Sequence, residues 1–135
     1  MNKKIKKQAI AFKNIKTKQV RSEYISFSFR YFDHHKFGYS DEDNYLSSFL
    51  ERLCAISHMT IKELINARSN AIRFHAVDWS STKMTSGFSH LTDELQSETA
   101  WQFSISSNKH GRVFGFIVDT VFYIVWLDYE HLVYS

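Results

Sequence analysis

The sequence predicts an α+β fold: a mostly antiparallel sheet of about five strands, with two helices between strands 1 and 2 and a basic N-terminal arm. Three observations predict it. Apolar residues alternate with polar ones, with period two, over 24–32 and again from residue 71 onward; between these stretches lies a segment with helical spacing and a capping signature; and aromatic residues reach 16%, with 12 Phe, 7 Tyr and 3 Trp. Aromatic side chains fit a pleated, half-buried surface better than a helix. With no Pro and only 4 Gly, turns fall to Asn, Asp, Ser and Thr.

Taken in order, residues 1–22 hold Lys3, Lys4, Lys6, Lys7, Lys13, Lys16, Lys18 and Arg21 and no acid, while Ile5, Ile10, Phe12, Ile15 and Val20 are spaced too irregularly for a clean helical face. This is expected to be a basic arm or short helix carrying +8, attached to a body (23–135) of −5. Such an arm attracts polyanions through counterion release, pairs with an acidic partner, or is a solvated terminus. Tyr24 to Phe32 then alternates, with Ile25, Phe27, Phe29 and Tyr31 on one side, as a half-buried strand does.

Ser40, Asp41, Glu42 and Asp43 offer N-cap candidates and negative charge for a helix start. Leu46, Phe49, Leu50, Leu53, Cys54 and Ile56 follow at i, i+3, i+4 spacing, predicting an amphipathic helix over 43–57 with Cys54 buried. Thr60 and Glu63 have the capping-box spacing and open a second helix with Ile61, Leu64 and Ile65 inward, ending near Arg68 to Asn70.

Ala71 to Trp79 alternates as a second strand, Ser80 to Gly87 is a polar loop, and Phe88 to Ser97 is expected to form a short helix. Trp101, Phe103 and Ile105 alternate with Gln102, Ser104 and Ser106 as a third strand. Arg112 to Val118 and Val121 to Leu127 are two further strands joined through Asp119-Thr120, a hairpin of minimal loop length. Val121 to Leu127 is apolar throughout, as a central strand covered on both faces must be. No repeat or linker interrupts residues 23–135, so a single domain is expected, with the helices packed on one face of a meander.

Several functions lack their signatures. The seven histidines fall at no metal-ligand spacing, no glycine-rich loop precedes a helix, and no GxSxG elbow occurs. No metal or cofactor is therefore expected. A single cysteine fits a reducing, cytoplasmic setting, no secretory signal is expected, and the longest apolar run is too short to cross a membrane.

The last third remains: Trp101-Gln-Phe-Ser-Ile, then Gly111-Arg-Val-Phe-Gly-Phe-Ile-Val-Asp-Thr-Val-Phe-Tyr-Ile-Val-Trp-Leu-Asp, then Tyr129-Glu-His-Leu-Val-Tyr134. It resembles the C-terminal sheet of the RelE/ParE toxin superfamily, whose element order is also a strand, two helices and a meander. The resemblance implies a metal-independent endoribonuclease of toxin–antitoxin or phage-defence type, acting on RNA or the ribosome, with an antitoxin among its partners. It implies Arg112 as the phosphate-binding strand arginine, His131 as general acid or base, and Tyr134 as the base-stacking residue. Arg73, Lys109 and His110 are further candidates for the same cleft, and Lys3, Lys4, Lys6 and Lys7 for nucleic-acid contact by the arm. The chain differs from the family in its arm, in the stretch 78–100, in an acidic body and in the lack of an assignable carboxylate base. The alternative is a non-enzymatic phage or mobile-element accessory protein that binds a protein or nucleic-acid partner. Exposed strand edges also invite pairing with a second copy.

Overall fold

A computed structural model describes residues 23–37, 39–67, 71–107 and 109–134. The basic arm, with Lys3, Lys4, Lys6 and Lys7, and the expected end of the second helix at 68–70 lie outside the described residues. Among the described residues the fold is α+β: a five-stranded, mostly antiparallel sheet with two helices between the first and second strands.

The strands are β1 (Ser26–Ser28), β2 (His75–Ala76), β3 (Ala100–Ser104), β4 (Arg112–Val118) and β5 (Val121–Asp128). Helices α1 (Tyr45–Ser57) and α2 (Ile61–Asn66) follow β1, and α3 (Asp93–Gln96) precedes β3. The strand order is β1-β5-β4-β3-β2, with β1 parallel to β5 and the other pairs antiparallel. No helix among the described residues is long and apolar enough to cross a membrane.

The β4–β5 hairpin forms where expected, because Asp119 takes the left-handed conformation (φ 57°) that a two-residue loop demands. It contains a bulge: Phe114 pairs with Trp126 but Gly115 pairs with Ile124, leaving Val125 as the extra residue. As a result Val125 and Trp126 both join the core on the face away from the helices. Gly115 is required here, since a Cβ would meet the Tyr123 carbonyl and lie 2.5 Å from the Phe122 ring.

Both faces of the sheet are buried. On one, Tyr45, Phe49, Ile56 and Leu64 from α1 and α2 pack on Phe103, Val113, Phe122 and Ile124. The other face is not open: Phe37 and Phe88 pack there on Phe114, Phe116 and Trp126, with Trp79 against them. Trp126 is wholly buried, with the rings of Phe37, Phe88 and Trp79 at 5.1, 4.9 and 5.7 Å.

The two outer strands are shorter than their sequence alternation. After Ser28 the chain turns, Phe32 N–H donating to the Phe29 carbonyl, and re-engages β5 through Asp33 N–H and the Val125 carbonyl at the bulge. Tyr31 thereby crosses to the far face while Ile25 and Phe27 stay on the helix face. The second strand is broken at Arg73, whose φ of 50° is left-handed, although the Ile72 carbonyl and Val77 N–H still bond to β3. The expected helix over 88–97 is one turn, with the Thr92 hydroxyl accepting from Leu95 N–H at 3.4 Å.

The α2 capping box forms as its spacing predicts: Thr60 Oγ1 accepts from Glu63 N–H at 3.1 Å, and Glu63 Oε1 accepts from Thr60 N–H at 3.3 Å. The start of α1 differs from expectation. Its N-cap is Asn44 at φ 69°, without a side-chain cap, and no acid lies in its first turn. Cys54, Leu46 and Leu50 are exposed rather than buried, because only the Tyr45, Phe49 and Ile56 side of α1 meets the sheet.

Candidate functional site at the β2–β4 margin

The register of the sheet builds one row of side chains across four strands. His75 of β2 pairs with Gln102 of β3, Gln102 with Phe114 of β4, and Phe114 with Trp126 of β5. Phe114 and Trp126 belong to the core away from the helices, so His75 and Gln102 share that face. Arg112 is two residues before Phe114 and therefore also on that face, diagonal to Gln102.

Alternation alone expects Gln102 and Ser104 to be on a polar surface, yet both are buried. Gln102 is satisfied by two partners. Arg112 Nη1 donates to its Oε1 at 3.0 Å, and its Nε2 donates to the Tyr134 hydroxyl at 2.8 Å. The Arg112 guanidinium is also 5.4 Å from the Tyr134 ring centroid, a cation–π distance. Tyr134 in turn stacks on Phe114, with centroids 6.3 Å apart and planes at 28°.

The tail that delivers Tyr134 is held by Asp128. This buried carboxylate accepts from the backbone N–H groups of Leu132 and Val133, each at 2.9 Å. Val133 is buried, and its carbonyl accepts from Lys83 N–H at 2.7 Å. Tyr134 remains partly accessible, at 39%.

His75 completes the group from the edge strand. Partial desolvation, then the charges of Arg112 and Arg73, hold its imidazole below the usual histidine value of 6.5. It is therefore neutral at pH 7 and able to accept a proton beside a fixed guanidinium.

The structure brings Arg112 and Tyr134 together and places Arg73 near enough for its charge to act on His75. Other expected site residues go elsewhere. His131 is exposed at a left-handed position (φ 58°), and no described contact joins it to Arg112. His110 is buried on the helix side, its ring edge-on to Tyr45 at 5.9 Å and its Nδ1 3.2 Å from the Ser106 hydroxyl. Lys109 is exposed in the same turn, its carbonyl accepting from Ser106. The groove beside α1 and the cavity beside Asp128, of about 700 and 330 Å³, are lined by other residues than the Arg112 group.

Sequence reasoning missed Gln102 and His75. Both fell on the side of a strand expected to be solvated, and only the register shows them flanking one another. Among the described residues, no three His, Cys, Asp or Glu side chains are grouped to hold a metal ion. No protein-family model matches the chain, and searches of curated proteins and of solved structures returned no match.

Proposed function

We propose that this protein is a metal-independent endoribonuclease of the RelE type, with Arg112, Tyr134 and His75 as its working side chains. The observation that carries the reading is the Arg112–Gln102–Tyr134 chain of hydrogen bonds beside a neutral imidazole. His75 here takes the proton-transfer role that the sequence resemblance assigned to His131.

A phosphodiester needs three things for this chemistry: a base for the ribose 2′-OH, a cation for the charge that develops on the phosphate, and a surface that orients a base. His75 takes the 2′-OH proton as the 2′-oxygen attacks the adjacent phosphorus. The P–O5′ bond breaks, leaving a 2′,3′-cyclic phosphate, and the imidazolium returns its proton to the departing 5′-oxygen. Arg112 stabilises the negative charge of the pentacoordinate state. Gln102 holds the guanidinium and the phenol in fixed relation, and the exposed part of the Tyr134 ring stacks on a base.

The test compares a single-stranded RNA with the same sequence in 2′-deoxy form. Both should bind, and only the ribose form should be cut, leaving 2′,3′-cyclic ends. Cleavage of the deoxy strand, or 3′-hydroxyl ends, would contradict the mechanism.

A second reading is favoured by where the charge lies: residues 1–22 carry +8 and the rest −5. It is a non-enzymatic accessory protein of phage or mobile-element type whose arm contacts a protein or nucleic-acid partner. Binding of RNA without cleavage, lost when residues 1–22 are removed, would select it.

A further inference from the structure

The acids Asp41, Glu42 and Asp43 lose their sequence explanation in the structure. They do not cap α1, whose N-cap is Asn44 and whose first turn holds no acid. None forms an ion pair with another described residue; the local bonds here are Glu42 N–H to the Ser40 hydroxyl at 3.0 Å and Tyr45 N–H to the Glu42 carbonyl at 3.1 Å.

Asp41 and Glu42 instead line a groove of about 700 Å³ between the start of α1 and the end of β1. Its floor is Phe29, Phe32, Leu46, Phe49, Leu50 and Leu127. Three of these are well exposed: Phe29 at 50%, Leu46 at 63% and Leu50 at 56%. Helix α1 thus carries an apolar strip beyond the one it packs on the sheet. A contiguous apolar surface with an acidic border fits a segment that is both apolar and basic.

The chain itself contains such a segment. Residues 1–22 combine eight cationic side chains and no acid with Ile5, Ile10, Phe12, Ile15 and Val20. They join the body at Glu23, six residues before Phe29 on the groove floor. Six extended residues span about 20 Å and 22 span about 70 Å, so the arm reaches the groove in either direction along it. We propose that residues 1–22 dock in this groove of their own chain, with apolar side chains on Leu46 and Leu50 and lysines against Asp41 and Glu42. This face is on the β1 side of the molecule, whereas the Arg112 group is on the β2–β4 side, so the proposal is independent of the ribonuclease reading.

The test is photo-crosslinking of the full chain with p-benzoylphenylalanine at position 46, and separately at position 50, both exposed sites. Mass spectrometry of the monomer band should find adducts on peptides from residues 1–22 with either probe. The double variant Asp41→Lys, Glu42→Lys should lower the adduct yield several-fold, as should raised salt, with unchanged circular dichroism. Adducts only between two molecules would assign the groove to a second copy and overturn the proposal. So would adducts confined to residues outside 1–22, or a yield indifferent to charge reversal and salt.

Discussion

Arg112 and Tyr134 are joined through one buried amide: Gln102 accepts from the Arg112 guanidinium at 3.0 Å and donates to the Tyr134 hydroxyl at 2.8 Å. This amide ties the first residue of β4 to the C-terminal tail. Gln102→Leu removes both hydrogen bonds at a part-buried site and should cost about 1–3 kcal/mol. Gln102→Glu keeps an acceptor for both partners and should cost less. Urea denaturation of the two variants checks the order, and equal losses would mean that the amide is only a space-filler.

His75 is held below the usual histidine value of 6.5 by partial desolvation, Arg112 and Arg73. A histidine kept neutral by the fold contributes stability present above about pH 6.5 and lost as pH falls through its folded value, since the unfolded chain then binds the proton first. Removing one of the cations, as in Arg112→Gln, should move the His75 midpoint upward. Ring-proton NMR titration, assigned with His75→Gln, measures both. In the ribonuclease reading the acid limb of the rate profile has the same midpoint and moves with it.

Asp128 anchors the tail by accepting from Leu132 and Val133 N–H. Hydrogen bonds to a charged acceptor are worth more than neutral ones, so Asp128→Ala should cost about 2–4 kcal/mol. It should also free Tyr134 from the Arg112 side chain. Faster amide exchange at Leu132 and Val133, together with loss of any RNA cleavage, is the expected pair of results. A stable variant with protected tail amides would contradict the anchoring role.

Tyr45 is wholly buried, and desolvation and the nearby Asp128 charge push its phenol up to about 12. Its hydroxyl has no hydrogen-bond partner among the described residues. Because its folded value is raised above the ordinary 10.0, the neutral phenol contributes stability fully present below pH 10 and lost as pH rises toward 12. Subtracting the 295 nm titration of Tyr45→Phe from that of the wild type should leave a step near pH 12. A step near pH 10 would place this ring in solvent.

The fold was legible where local chemistry and tertiary contacts agree. The Asp119-Thr120 hairpin, the Thr60–Glu63 box and the doubly covered β5 follow from spacing alone. The failures share a cause: alternation reports which residues are apolar, not where a strand stops pairing. Tyr24 to Phe32 and Ala71 to Trp79 alternate throughout, but the turn after Ser28 and the left-handed Arg73 cut the strands to Ser26–Ser28 and His75–Ala76. The bulge at Val125 was invisible for the same reason, although Gly115 within an otherwise bulky strand marks the close approach opposite it. Of the candidate site, Arg112 and Tyr134 were legible as types at the right end of the sheet. Gln102 and His75 were not, since their meaning depends on register, and His110 was misplaced because a turn at φ 66° directs its ring inward against Tyr45.

The Arg112 group is proposed to cut RNA without a metal. The purified protein, residues 1–135, should be incubated with a long single-stranded RNA in EDTA, alongside Arg112→Ala checked for native circular dichroism. The expected result is cleavage by the wild type and a loss of about 100-fold or more in the variant, the scale seen when a charge-stabilising group is removed. Intact RNA with the wild type, or equal cleavage by Arg112→Ala, would contradict it.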